Sequence, residues 1–520
     1  MQSLDARAGQ ALEKGRRALA ARRFSEAVEA FRVAVRHAPR DAGIRHILGT
    51  ALAQAGRLPE AVDALKAARD LAPNDAKLQM ALADAYFMGG AQAAALPEYL
   101  RAGQLDPTNV TAWSNAGGIF RELGEPEHAL AVLHRALALD PRHAMALSNS
   151  GLAFSDIGEY QNARDCFSLA LESKPDYDTA RWNRAIVDLL RGDFANGWEG
   201  HEYRHVQVAR MGGLRTFPEP RWDGARFDGK RLLVWPEQGL GDQLQFVRFL
   251  PRVKALGGTV VLACAAPLRA LFRQCVPDAD EIVVIDTPYE SCDLQVPLMS
   301  LPFVLGLGGE LDAPRVPYLR AEGEASATIA SAISPRGSVL NVGVVWAGQP
   351  KHQNDRNRSL ALETLAPLFS VPGTRWYSLQ KGDAAEAQLD PVNEALRMSG
   401  APVVTPLGPM FADFADTAQA IAHLDLVITV DTGVAHLAGA MGVPTWIMLP
   451  FIPDWRWQVD RDDSPWYPHT RLFRQQRARD WSAVVAAIAT ALAGQVSALE
   501  ATSVNRSSSS ASQASNGACL

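Results

Sequence analysis

Three short stretches of this 520-residue chain carry side chains able to do chemistry on a charged, hydroxyl-bearing ligand. The first is DTGVAHLAGAMGVP at 431–444, with Asp431, Thr432, Gly433 and His436. A helix opening at such a run presents unpaired backbone N–H groups and the positive end of its dipole, which together make an anion site. Thr432 adds a hydroxyl donor, Gly433 lets a phosphate come close, and Asp431 can accept from a sugar or ribose hydroxyl. His436 follows one helical turn later and could face the same cleft. It could equally be packed within its helix, and Asp431 and Thr432 could do no more than cap the helix start. The second stretch is GLGD at 239–242, where Gly241 permits close backbone approach to a ligand. Asp242, at a helix start, can take a proton from a hydroxyl if it is shielded from water. Its plainer role is to stabilise that helix start. The third is the polar loop QPKHQNDRNRS at 349–359, whose Lys351, Arg356 and Arg358 can neutralise phosphate unless the loop is simply solvated.

Each stretch needs a strand to deliver it. RLLVW (231–235) is a short apolar, β-rich run that leads into the GLGD turn and an amphipathic helix, the opening of a Rossmann-like unit. Further strands are expected at TVVLAC (259–264), EIVVID (281–286) and near CDLQVPL (292–298), with helices between them and a parallel sheet. A second set follows at NVGVVWAG (341–348), RWYSLQ (375–380), LVITV (426–430) and GVPTWIML (442–449), with a helix near 415–423. The Ala, Ser, Glu, Pro and Gly of 320–337 suit a crossing between the two sets. Trp455, Trp457, Trp466 and Tyr467 lie in PDWRWQVDRDDSPWYP (453–468), where they could close over a base or sugar, or pack the last helices onto the first set. A helix around 480–493 should end the fold, and the Ser/Ala-rich 495–520 is expected to be a disordered tail.

Ahead of this region the chain repeats every 34 residues. Ala27, Ala61, Ala95, Ala129 and Ala163 fall in step, as do Ala34, Ala68, Ala102, Ala136 and Ala170, and Pro39, Pro73, Pro107, Pro141 and Pro175. That is the period of the tetratricopeptide repeat, a pair of antiparallel helices stacked into a superhelix. Prolines end the second helix of each pair. Gly56, Gly90, Gly124 and Gly158 fall where the first helix needs a left-handed residue. Gly192 continues the series, so 178–205 is taken as a degenerate sixth repeat or cap, and the solenoid as 8–205. Asn115, Asn149 and Asn183 are also 34 apart, on the first helix of three successive repeats. Amides spaced one repeat apart could pair with an extended acceptor peptide, although they could also bond within the stack. The row resembles the asparagine ladder of nucleocytoplasmic O-GlcNAc transferases. Residues 206–229, including PEPRWDG, form a connector that should be ordered, because Phe217 and Trp222 need burial.

Composition narrows the class. A net charge of -6 leaves no basic footprint for nucleic acid. With no uninterrupted apolar run of about 18 residues, no membrane span is expected. The N-terminus has no apolar signal core, and five scattered cysteines without metal spacing suit a reducing cytoplasm.

The segments EQGLGDQLQF and DTGVAHLAGA, one in each strand set, resemble the GT-B glycosyltransferases of the heptosyltransferase-like class, glycosyltransferase family 9-like, over residues 230–492. The resemblance implies an α-solenoid followed by an α/β GT-B fold of two Rossmann-like domains, an acceptor side at 230–320 and a donor side at 338–494. It implies Asp242 as catalytic base, and Gly241, Asp431, Thr432, Gly433 and His436 around a nucleotide-sugar donor. Arg358, with Lys351 next, would lie on the diphosphate, though that loop departs from the lipopolysaccharide heptosyltransferases. It implies inverting transfer in a single displacement, without a cofactor or metal; neither cleft-forming loop holds a DxD pair or a His/Cys cluster. With repeats in front, the arrangement is similar to bacterial repeat-fused glycosyltransferases, some of which modify flagellin and other proteins. The expected partners are a nucleotide-sugar and an acceptor protein, flagellin among the candidates, in the repeat groove. A homo-oligomer is allowed for, since repeat stacks do dimerise. The rival readings are an assembly protein with an inert or nucleotide-binding transferase half, and a sugar-nucleotide epimerase.

Overall fold

The computed structural model describes residues 2–204, 215–308, 316–321, 327–352 and 354–516. The chain divides into two compact units, Met1–Val187 and Asp188–Leu520.

The first unit is a stack of helix pairs. Both alanine series are fully buried, because only a methyl group fits where paired helices approach. The second helices end at His37, Leu71, Leu105, Leu139 and Ser173, two residues before each proline of the series. Gly56, Gly90, Gly124, Gly158 and Gly192 all have φ between +73° and +85°, the left-handed turn expected of them. Repeat one sets Arg22 at this position, at φ +55°, where a side chain is disfavoured. A further series emerges at the helix starts. Asp41, Asp75, Asn109 and His143, again 34 apart, each accept a hydrogen bond from a first-turn N–H. The proposed sixth repeat does form two helices, Asp178–Leu190 and Phe194–His201, but the unit boundary falls inside the first of them.

The second unit holds two parallel sheets. The first comprises β1 (Arg231–Trp235), β2 (Thr259–Cys264), β3 (Glu281–Val284) and β4 (Leu294–Pro297), in the order β3-β2-β1-β4. The second comprises β5 (Leu340–Val345), β6 (Thr374–Ser378), β7 (Val404–Pro406), β8 (Leu426–Val430), β9 (Thr445–Leu449) and β10 (Thr470–Arg474), in the order β10-β9-β8-β5-β6-β7. The eight expected strands are present; β7 and β10 were not anticipated. Both are sheet edges, where pairing on one side only weakens the apolar signal. In each sheet the chain runs outward from its first strand and then returns to that strand's other side. The resulting switch points lie between β1 and β4, and between β5 and β8. Ligands bind beyond the carboxyl ends of strands at such points.

The connector is ordered where it is described. The rings of Phe217 and Trp235 lie 4.7 Å apart, and Trp222 is buried, with its backbone N–H donating to the Gln295 carbonyl of β4. The rest of that connector, 206–214, lies with residue 205 outside the described residues. Two expectations at the C-terminus need correcting. The last helix runs Ser482–Asn516 and takes in most of the presumed disordered tail, since no Gly or Pro interrupts 495–516. Its segment Ser482–Ala501, with mean hydropathy 1.7, is long and apolar enough to cross a membrane by length and composition. Ala-richness and a single charge, Glu500, carry that average through the interrupting Thr, Gly, Gln and Ser. One stripe of it, Val484, Val485, Ile488, Leu492 and Val496, packs into the core of the second sheet.

Candidate active site

The four-stranded sheet supplies the first wall of the cleft. After β1 the chain turns through Gly239 into the helix Leu240–Phe246, with Asp242 in its first turn. The six-stranded sheet supplies the second. After β8, Asp431 and Thr432 lead into the helix Gly433–Ala440, and the loop after β5 carries Lys351 to Arg358. All three chemical stretches thus follow strands that border a switch point.

The two helix starts meet. A Cβ at Gly241 would stand 2.7 Å from His436 Cδ2, and one at Gly433 would lie 3.8 Å from the Gly241 nitrogen. Glycine at 241 is therefore required by His436 on the facing helix. His436 itself is a packed histidine. It is 5% exposed, stacks on Trp457 at 5.3 Å and shares a 2.9 Å hydrogen bond between Nδ1 and the Tyr467 hydroxyl. Burial, with Arg456, Arg248 and Arg358 near by, holds it well below the usual histidine range, hence neutral. It shapes the cleft wall from behind. The aromatic question also resolves toward packing, since Trp455, Trp457, Trp466 and Tyr467 are all buried. Trp455 and Trp466 lie edge-on to Trp198 of the helix Phe194–His201.

Asp242 is largely enclosed, and burial pushes its carboxyl up from the usual range. Arg456 opposes this through a bond from Nη2 to Asp242 Oδ1, while Asp454 reinforces it as a like charge. Asp431 is raised to about 6 by burial and the nearby Asp454 charge, against the pull of Arg358. The Trp457 indole N–H also favours the charged form without completing a hydrogen bond. Arg358 donates from Nη1 to the Asp431 backbone carbonyl at 3.0 Å and lies 3.4 Å from Asp355. Asp355 is held in turn by Ser359 Oγ, at 2.9 Å. The basic loop is thus anchored to the helix start at 433, with Arg358 as the tie. Lys351 is exposed on the same loop, and among the described residues no contact draws it into the cluster. Thr432 occupies the cap position but makes no side-chain cap bond; its hydroxyl lies 3.2 Å from that of Thr429. Among the described residues no group of three or more His, Cys, Asp or Glu stands close enough to hold a metal ion.

Sequence reading missed three members of this cluster: Arg456, Asp454 and His352. The last faces Asp242, Asp454, Asp355 and Arg358, and burial and Arg358 lower it from the ordinary range. An Arg set between two Trp and two residues after an Asp was the available signal; its neighbours drew attention to the aromatics instead.

The asparagines belong to the first unit. Asn115 and Asn149 are half-buried, and Asn183 is 9% exposed. Asn149 donates its amide to the Ser114 carbonyl at 3.2 Å, a bond within the stack. At least one rung therefore also has a structural task, because a half-buried amide takes the nearest partner.

Comparison with known proteins gives two family matches. Residues 12–76, 48–110 and 115–178 match the tetratricopeptide repeat, and residues 381–447 match glycosyltransferase family 9 (heptosyltransferase). Protein FlbA of Caulobacter vibrioides is 27% identical over 342 residues, which cover 62% of this chain and 56% of FlbA. The matched stretch thus spans little more than half the length of that relative. Among solved structures, MamA covers 34% of this chain and 94% of its own, at 22% identity and TM-score 0.31. YrrB, described as a repeat protein with an unusual peptide-binding site, covers 33% of this chain and 88% of its own, at 19% identity and TM-score 0.30.

Proposed function

We infer the chemistry from what the chain is, tetratricopeptide repeats fused to a glycosyltransferase of the family 9 (heptosyltransferase) type. We propose a GT-B enzyme that moves a sugar from a nucleotide-sugar to a hydroxyl, with inversion and without a metal or other cofactor. Asp242 takes the proton of the acceptor hydroxyl, whose oxygen forms the new bond to the anomeric carbon as the bond to the diphosphate breaks. Charge grows on the departing diphosphate, and the helix start at 432–433, Arg358 and Lys351 are the groups offered to it. Asp431 bonds a hydroxyl of the donor. An acceptor protein lies along the repeats, and the cytoplasm, where nucleotide-sugars are made, is the proposed compartment. The free state of Cys166, Cys264, Cys275 and Cys292 agrees with that compartment.

One observation carries this reading. A shielded carboxylate from one sheet's first loop faces a glycine-opened helix start and an arginine from the other sheet. Glycosyl transfer needs a base for the acceptor hydroxyl and an anion-holding start for the departing diphosphate, and these are the groups the cleft brings together. Thermal shift of the purified protein against nucleoside mono- and diphosphates and nucleotide-sugars tests it, with Asp431→Ala alongside. Stabilisation by one nucleotide class, lost in the variant, is expected. No response anywhere would favour an assembly protein with an inert transferase half.

A further inference from the structure

Arg456 has no part in the reading so far, yet it is the most heavily bonded side chain of the cleft. It sits in the turn Trp455–Trp457 and is 6% exposed. Each guanidinium nitrogen has its own acceptor. Nε donates to Gln245 Oε1 at 2.6 Å, Nη1 to Asp454 Oδ1 at 2.9 Å, and Nη2 to Asp242 Oδ1. The Trp455 ring lies 4.2 Å from the guanidinium carbon. Asp242 and Gln245 belong to the helix after β1, while Arg456 and Asp454 follow β9. One planar side chain therefore joins the two walls at the residue proposed to do the chemistry.

We propose that Arg456 is a positioning residue for Asp242, gripping one carboxylate oxygen from the opposite half of the fold and leaving the other for the acceptor hydroxyl. This rests on the transferase reading. The ungripped oxygen lies over the glycine turn, where a Cβ at Gly239 would stand 3.4 Å from it. Asp242 is faced by Arg456, Asp454 and His352 and by the Gly239 backbone N–H, and Arg456 also feels the charge of Asp431. Without the guanidinium, Asp242 and Asp454 would be neighbouring carboxylates in a shielded site, and one would take up a proton. A base that carries a proton cannot accept another. Arginine suits the task because its fork reaches Asp242, Asp454 and Gln245 at once, which a single ammonium cannot do.

The test is the pH–rate profile for nucleoside diphosphate release by the full-length protein, given the nucleotide-sugar that stabilises it most. Wild type, Arg456→Gln and Arg456→Lys are compared. In Arg456→Gln the acid limb of kcat/KM should move up by about one pH unit or more, because the charge favouring ionised Asp242 is gone. Arg456→Lys should keep the limb near its wild-type position with a lower kcat. An equal loss at every pH in Arg456→Gln, with the limb unmoved, would overturn the inference and leave the transferase reading standing. A wild type that no nucleotide-sugar stabilises and that releases diphosphate from none would overturn both. If Arg456→Gln folds poorly, thermal melts of Arg456→Gln, Asp242→Asn and the double variant decide the pairing. The loss on removing Arg456 should be smaller in the Asp242→Asn background, and an equal loss in both backgrounds would overturn it.

Discussion

Asp242 and Asp431 are carboxylates of one cleft with different tasks and different surroundings. Asp242 is gripped by Arg456, and Asp431 feels the like charge of Asp454 while Arg358 is bonded to its backbone. If Asp242 is the base, Asp242→Asn keeps the shape and removes the proton acceptor. Turnover should then fall by about 10²–10⁴-fold while donor affinity stays within a few-fold. Steady-state rates beside equilibrium titration of the donor would check this, and loss of donor affinity instead would move Asp242 into the binding set. Asp431 makes a prediction about stability. Its folded pKa, about 6, lies above the ordinary 3.8. Between those values the folded state holds a proton that the unfolded chain has released. The contribution is therefore complete below the lower value and is lost as pH rises through the upper one. Asp431→Asn should flatten that fall and be the more stable protein at neutral pH, by up to about 3 kcal/mol. Thermal melts across that pH window would show it; a variant less stable than wild type at neutral pH would contradict the sign.

At the scale of elements, the repeats depend on backbone geometry as much as on burial. Four caps and five left-handed glycines recur in register, and repeat one departs from this with Arg22 at φ +55°. Arg22→Gly should relieve that strain at some cost in unfolded-chain entropy. The net effect should stabilise the repeats by up to about 1 kcal/mol, read as a higher midpoint in urea. The glycine and proline series were legible in sequence because such residues are placed by local backbone demands. The cap series was harder to see because Asp, Asn and His serve one role with three chemistries. The edge strands β7 and β10 and the continuation of the last helix went unread for a related reason. Edge pairing and helix extension are set by neighbours rather than by local pattern.

At the scale of the whole molecule, the proposal gives the solenoid the acceptor and the sheets the donor. Replacing Asn115, Asn149 and Asn183 together with Ala should raise KM for a protein acceptor and leave donor hydrolysis unchanged. Because Asn149 also bonds the Ser114 carbonyl, the triple variant should lose about 1 kcal/mol of stability as well. A melting curve must therefore accompany the kinetics. An unchanged KM in a folded variant would remove the asparagines from acceptor binding.

The amino-acid sequence by itself determined the repeats, the strand-Gly-helix units and the residues at their turns. Each of these follows from short-range rules of period, propensity and backbone freedom. What only the tertiary structure decided is who meets whom across the cleft. Gly241 lies against His436, and Arg456 joins Asp242 to Asp454 from 214 residues away. Sequence does not print such distances, because they depend on how two sheets pack. The same packing buries the tryptophans and sets His436 between Gly241 and Trp457. Burial of aromatic surface outweighs any single polar contact they could have offered.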